Sequence, residues 1–202
     1  MSQHGAEHHY ADQYLVPVIL EILNRISRGR GLRLVDVGCG DGYGAACYSA
    51  AGHTVQGFDA SEEEIQRARQ SHPDLRLEVA SVYDEDIVER WKGPVDGVVA
   101  LEVVEHLFDP KAFFAQSYRL LEEGGHLILS TPYHGYWKNL ALAVLGGWDR
   151  HHGVDWDGGH IKFFSKGTLA EMAQKAGFKN LRFRGVGRFP YFWKSMILTA
   201  QK

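Results

Sequence analysis

A chain of 202 residues, 45% hydrophobic and 12% aromatic, suits one domain that can fill a core and wall a binding cavity. Two cysteines, Cys39 and Cys47, are too few for a disulfide framework, and no charge-free apolar run is long enough to cross a bilayer. The net charge of −3 conceals an asymmetry, because residues 160–202 hold nine lysines and arginines against one acid, Glu171, and the rest is strongly acidic. That basic third reads either as a solvated face or as an attraction for an anionic substrate, a phosphate, RNA or a membrane surface. The polar start, Met1 to His9, lacks the layout of a signal peptide, so a reducing, cytoplasmic setting is expected.

In chain order, residues 1–31 read as a helical cap built on an amphipathic stretch from about Tyr10 to Ile26. Strand 1 follows at Arg33 to Val37, then a glycine turn, a helix to Ala51, strand 2 at Thr54 to Phe58 and a helix over Glu62 to Ser71. Strand 3 is expected at Leu75 to Val79, a short helix near Ile87 to Trp91, and strand 4 at Val95 to Leu101. A helix over Lys111 to Leu121, ended by Gly124-Gly125, precedes strand 5 at His126 to Ser130. After an aromatic insertion from Tyr133 to Gly159, a helix with Ser165 as N-cap and Gly177 as terminal glycine leads to strands Phe178 to Val186 and Ser195 to Ala200. Apolar runs alternating with helical segments predict a single α/β domain with a parallel sheet.

The run Val35-Asp36-Val37-Gly38-Cys39-Gly40-Asp41-Gly42-Tyr43-Gly44 lies where strand 1 turns into the next helix. Glycines there permit positive φ and close approach of a ligand to the backbone, and the helix start offers unpaired N–H groups. Gly40-x-Gly42-x-x-Ala45 with Asp59 after strand 2 satisfies the loose dinucleotide pattern. Asp36, however, would repel a pyrophosphate and suits an ammonium, which favours an amino-acid-bearing nucleoside. The string Asp-x-Gly-x-Gly with a later acid resembles the cofactor loop of class I S-adenosylmethionine-dependent methyltransferases, and the resemblance runs from about Leu32 to the C-terminus. It implies a Rossmann-like, seven-stranded, mostly parallel sheet whose last two strands form an antiparallel hairpin. It also implies S-adenosyl-L-methionine held by Asp36, Gly38, Cys39 and Gly40, by Asp59 at the ribose, by Ala60 beside it, by Ser81 and Val82 at the adenine, and by Leu101. Relatives often carry an aspartate where Ser81 stands, and Asp84 is the possible substitute.

After strand 4, Glu102-Val103-Val104-Glu105-His106 can put two carboxylates and an imidazole on one side of a turn. This E-x-x-E-H pattern resembles ubiquinone-biosynthesis O-methyltransferases and small-RNA 3′-end 2′-O-methyltransferases, which implies a divalent metal at Glu102, Glu105, His106 and His160. Without a metal, His106 or His160 could serve as a base, or these residues could simply pack. The insertion, with Tyr133, Tyr136, Trp137, Trp148 and Trp156, reads as a lid or as an ordinary packing helix. His151-His152 and Asp155-Trp156-Asp157 show no regular ligand spacing. The resulting expectation is O-methylation of a small aromatic or quinone-type acceptor. The alternatives are an RNA 2′-O-methyltransferase, a non-catalytic S-adenosylmethionine-binding module, and a dehydrogenase, which lacks any Tyr-x-x-x-Lys pair here.

Overall fold

Strand β1 (Arg33–Val37) points Leu34 and Asp36 to one side and Val35 and Val37 to the other, and all four are buried. A strand buried on both faces requires cover on both faces, and parallel strands supply it because each crossover is a helix. The computed structural model, which describes residues 3–91, 94–147 and 159–202, meets this requirement with a seven-stranded sheet between two helical layers.

The remaining strands are β2 (Thr54–Asp59), β3 (Arg76–Val79), β4 (Val95–Leu101), β5 (Leu121–Pro132), β6 (Lys179–Val186) and β7 (Ser195–Gln201). Their order is β3-β2-β1-β4-β5-β7-β6. Strands β1 to β5 pair in parallel, and β7 runs antiparallel between β5 and β6, as the hairpin expectation required.

One layer contains α1 (Gln3–Ser27), α2 (Tyr43–Ala50) and α3 (Glu62–Ser71). Its core joins Leu15, Ile19 and Leu23 of α1 to Tyr48, Ile65 and the strand residues Leu34, Val99 and Ile128. The opposite layer holds α4 (Ile87–Arg90), α5 (Pro110–Leu120) and α7 (Lys166–Lys175). There Trp91, Phe113, Phe114 and Leu169 pack on Val35, Val98, Leu127 and Leu198. Strand 4 shows the division, with Val98 and Ala100 facing one layer and Val99 and Leu101 the other. Helix α6 (Tyr136–Val144) contributes no residue to either core cluster.

Local chemistry sets the boundaries. Ser165 caps α7 in a reciprocal box with Thr168, and Gly177, at φ +105°, ends the helix as expected. The predicted break at Gly124-Gly125 is instead a bulge within β5. The pairing with β4 jumps from Val95↔Leu121 to Gly97↔His126, and Gly124 at φ +82° absorbs the extra residues.

Candidate active site

The carboxyl ends of β1 to β4 open onto a cleft of about 350 Å³. Gly38, Asp59, Ala60, Ser81 and Val82 line it, and Glu102, Val103 and His106 form the side nearest β4. Asp36, Cys39, Gly40 and Leu101 line a recess of about 20 Å³, and Gly38 belongs to both walls. All nine residues expected at the cofactor therefore meet at one end of the sheet, which is where ligands of open α/β sheets bind.

The glycine turn is fixed from two directions. Gly38 and Cys39 donate their N–H groups to Phe58 O at 2.8 and 3.1 Å, and Asp59 Oδ2 accepts from Gly40 N at 3.0 Å. Asp59 Oδ1 accepts from Ser61 N at 2.8 Å. Each oxygen thus retains a second lone pair for a ligand hydroxyl. Gly38 has φ +69°, and a Cβ there would lie 2.5 Å from Val103 Cγ2. Glycine is required at that position for both reasons. Burial pushes the Cys39 thiol up, with Asp36 adding to the effect, which makes it an inert packing group. Asp84 lies outside the cleft lining. Its Oδ2 accepts from Ser81 N at 3.0 Å, so it orders the loop that carries Ser81.

Past β4 the chain reverses. Glu102 adopts φ 53°, uncommon for a residue with a side chain, and is held by Ser130 of β5. Its N–H donates to Ser130 Oγ at 3.0 Å, and Ser130 Oγ donates to Glu102 Oε1 at 2.7 Å. A short 3-10 turn, Val104–His106, follows. Glu105 there is fully buried, with no hydrogen bond to either carboxylate oxygen among the described residues. Burial pushes its carboxyl well up and Glu102 adds to this, while Thr131, close by but outside hydrogen-bond geometry, acts in the opposite sense.

The backbone of Glu105 is also the anchor for a distant loop, since its carbonyl accepts from Ile161 N and Lys162 N at 3.0 Å each. This brings His160 beside His106, with ring centroids 4.9 Å apart. His106 Nδ1–H donates to Gly159 O at 3.3 Å, an arrangement that leaves the ring's lone pair on Nε2. Glu105, His106 and His160 each bring one ligand atom to within 4.8 Å of the others. Glu102 is not in this group. Its carboxylate bonds to Ser130 and lines the cofactor cleft, so of the four residues expected at a metal the structure brings three together. One carboxylate without partners and two imidazoles form a donor set that fits a divalent transition ion better than magnesium.

Several contributors had no signal in the sequence. Asp12 of α1 lines the small recess beside Asp36. Tyr14 Oη lies 3.0 Å from Ser195 Oγ, tying α1 to β7. Lys138 of α6 is buried, and its Nζ donates to Tyr133 O at 2.9 Å. Burial brings the Lys138 ammonium down to about 8, Arg188 acts in the same direction, and Glu102 opposes them. Only the position of Asp12 and Tyr14 beside the apolar stripe of an amphipathic helix was available to find them. Helix α6 and its C-cap residue leave Tyr136, Trp137, Val144 and Leu145 exposed, while Lys138 is buried. Trp148, His151, His152, Asp155, Trp156 and Asp157 lie outside the described residues.

Residues 7–182 match a family model described as a methyltransferase domain. The ubiquinone biosynthesis O-methyltransferase of Cereibacter sphaeroides is 31% identical over 174 residues, covering 81% of this chain and 67% of that protein. The one from Thiobacillus denitrificans is 33% identical over 162 residues, covering 77% and 68%. That of Caulobacter sp. strain K31 is 38% identical over 118 residues, and the match spans only 46% of its length. Among solved structures, magnesium protoporphyrin IX methyltransferase (ChlM) from Synechocystis PCC 6803 with bound SAH superposes with a TM-score of 0.72 at 21% identity, covering 93% of this chain and 82% of its own. A 1,6-didemethyltoxoflavin-N1-methyltransferase from Burkholderia thailandensis gives 0.71 at 20% identity, covering 100% and 84%. The chain belongs to the methyltransferase-domain family of S-adenosylmethionine-dependent enzymes, with ubiquinone biosynthesis O-methyltransferases among its relatives.

Proposed function

We propose that the protein transfers the methyl group of S-adenosylmethionine to an oxygen of a small hydroxylated aromatic or quinone-type acceptor. The observation that carries this reading is the double position of His106, which lines the donor cleft and also stands in the group with Glu105 and His160. An acceptor held by that group has its oxygen beside the cofactor, the proximity that a direct displacement needs. The acceptor oxygen attacks the methyl carbon as its proton leaves to water, the carbon–sulfur bond breaks, and the electron pair remains on sulfur as a neutral thioether.

The chain's own contribution is positioning. Asp59 and Ala60 hold the ribose, Gly38 to Gly40 pass close under the amino-acid end beside Asp36 and Leu101, and Ser81 and Val82 flank the adenine. Glu105, His106 and His160 would hold a divalent ion, which when bound lowers the pKa of an acceptor hydroxyl and orients it. Helix α6 acts as a lid in this reading, with its exposed aromatic and aliphatic side chains facing the acceptor's apolar part. The RNA alternative draws less support. In the basic third, Arg184 pairs with Glu21, Lys175 with Glu171, and Lys202 donates to Leu121 O, so at least three of its nine cations are engaged within the fold.

Elemental analysis together with methyl-transfer assays on hydroxylated aromatic acceptors, with and without a chelator, tests the reading. Expected are stoichiometric metal and chelator-sensitive transfer. Transfer that persists undiminished in metal-free protein would remove the ion from the account, and transfer to RNA alone would remove the acceptor.

A further inference from the structure

The recess beside the glycine turn has a composition that the sequence did not anticipate. Asp12 reaches it from α1 and joins Asp36 and Asp41, while Gly38, Gly40 and Gly44 leave its floor without side chains. Its 20 Å³ admits about one water-sized group. Asp36 is only 5% exposed, and its carboxylate accepts no hydrogen bond among the described residues. Tyr48 Oη, also buried, has no partner among them either. Both flank Gly44, where a Cβ would lie 3.3 Å from Tyr48 Oη and 3.5 Å from Asp36 Oδ2. Buried polar groups left in this way call for a ligand that satisfies them.

We propose that Asp12 is a specificity-determining residue that, with Asp36, receives the α-amino group of the methyl donor's amino-acid end. This rests on the cofactor reading above. An ammonium is of the right size, carries the right charge and donates three hydrogen bonds, enough to reach both carboxylates. Burial pushes the Asp36 carboxyl well up, and the charges of Asp12 and then Asp59 push it further. A cation between the acids turns that repulsion into attraction. The placement of Asp12 is fixed from below. Leu15, Val16 and Ile19 are buried against the sheet, and Tyr14 is tied to Ser195. Helix α1 thereby makes the pocket select a nucleoside that bears an amino acid over one that does not.

The test compares two ligands with the same nucleoside. S-adenosylhomocysteine has the amino-acid end, and 5′-methylthioadenosine lacks it. By calorimetry, Asp12→Asn should weaken S-adenosylhomocysteine about tenfold, the value of one charge-assisted hydrogen bond, and leave 5′-methylthioadenosine unchanged. Equal weakening of both would mean that Asp12 only supports the helix, and no change in either would mean that it touches nothing. Both results overturn the assignment. If wild-type protein binds neither ligand, the cofactor reading itself fails, an outcome distinct from failure of Asp12 alone.

Discussion

The donor side of the cleft is built mainly from residues that directly end successive strands, whereas the acceptor side depends on a loop brought in from a remote segment. The glycine turn, Asp59 and the Ser81 loop each follow directly from one strand, and short backbone bonds such as Gly38 N to Phe58 O lock them together. On the other side, Glu105 and His160 lie 55 positions apart and are brought together by the bonds of Ile161 and Lys162 to one carbonyl and of His106 to Gly159 O. A site of the first kind is specified by strand ends. The second depends on a loop that must dock, so the two sides should fail differently when altered.

The largest expected effect separates them outright. Glu105→Gln should lower methyl transfer by at least on the order of 100-fold, as loss of a ligand or of the group that orients the acceptor would, while S-adenosylhomocysteine affinity stays within about threefold by calorimetry. A matching loss of cofactor affinity would show that the two sides are one unit. The converse variant, Asp59→Ala, removes the acceptor of two backbone N–H bonds and, in the proposed reading, the ribose contact. It should weaken S-adenosylhomocysteine by on the order of 100-fold, and unchanged affinity would break the donor assignment.

Smaller effects sharpen the contrast. Gly38→Ala places a methyl against Val103 at a positive φ, which should cost about 1–3 kcal/mol in chemical denaturation. Ser substitutions at Val144 of α6 and at Leu145, its C-cap, 75% and 80% exposed, should change stability by less than about 0.5 kcal/mol. The same substitutions should raise the KM for an apolar acceptor, and an unchanged KM would argue against a lid.

The pH dependence of Glu102 is the subtlest. Burial brings its carboxyl up from 4.5 to about 7, with the Ser130 and Ser195 hydroxyls resisting. The folded protein therefore keeps a proton that the unfolded chain releases. The stabilisation is complete below about 4.5 and is lost as pH rises through about 7. Glu102→Gln should raise the melting temperature relative to wild type more at pH 8 than at pH 5.

The same contrast explains what could be read from the sequence. Strand alternation at Leu34 to Val37, the cap at Ser165 and the turn glycines are local rules, and the positions of the strands and of the last helix followed from them. Glu102, Glu105 and His106 were visible as a spacing, yet spacing alone grouped Glu102 with the others. The φ of 53° and the Ser130 bond turn it away. Asp12, Tyr14, Ser195 and Lys138 were hidden because their roles arise from packing of α1 and α6 onto strands remote in sequence. The bulge in β5 was read as a turn because glycines serve both.

The most direct test follows a labelled methyl group from S-adenosylmethionine to a hydroxylated aromatic acceptor, in wild-type protein and in His106→Ala, with S-adenosylhomocysteine affinity measured on both. Transfer by wild type that is lost in the variant, with affinity retained, would place the junction of the two sides at His106. Equal transfer by both proteins, or none by wild type to any such acceptor, would contradict it.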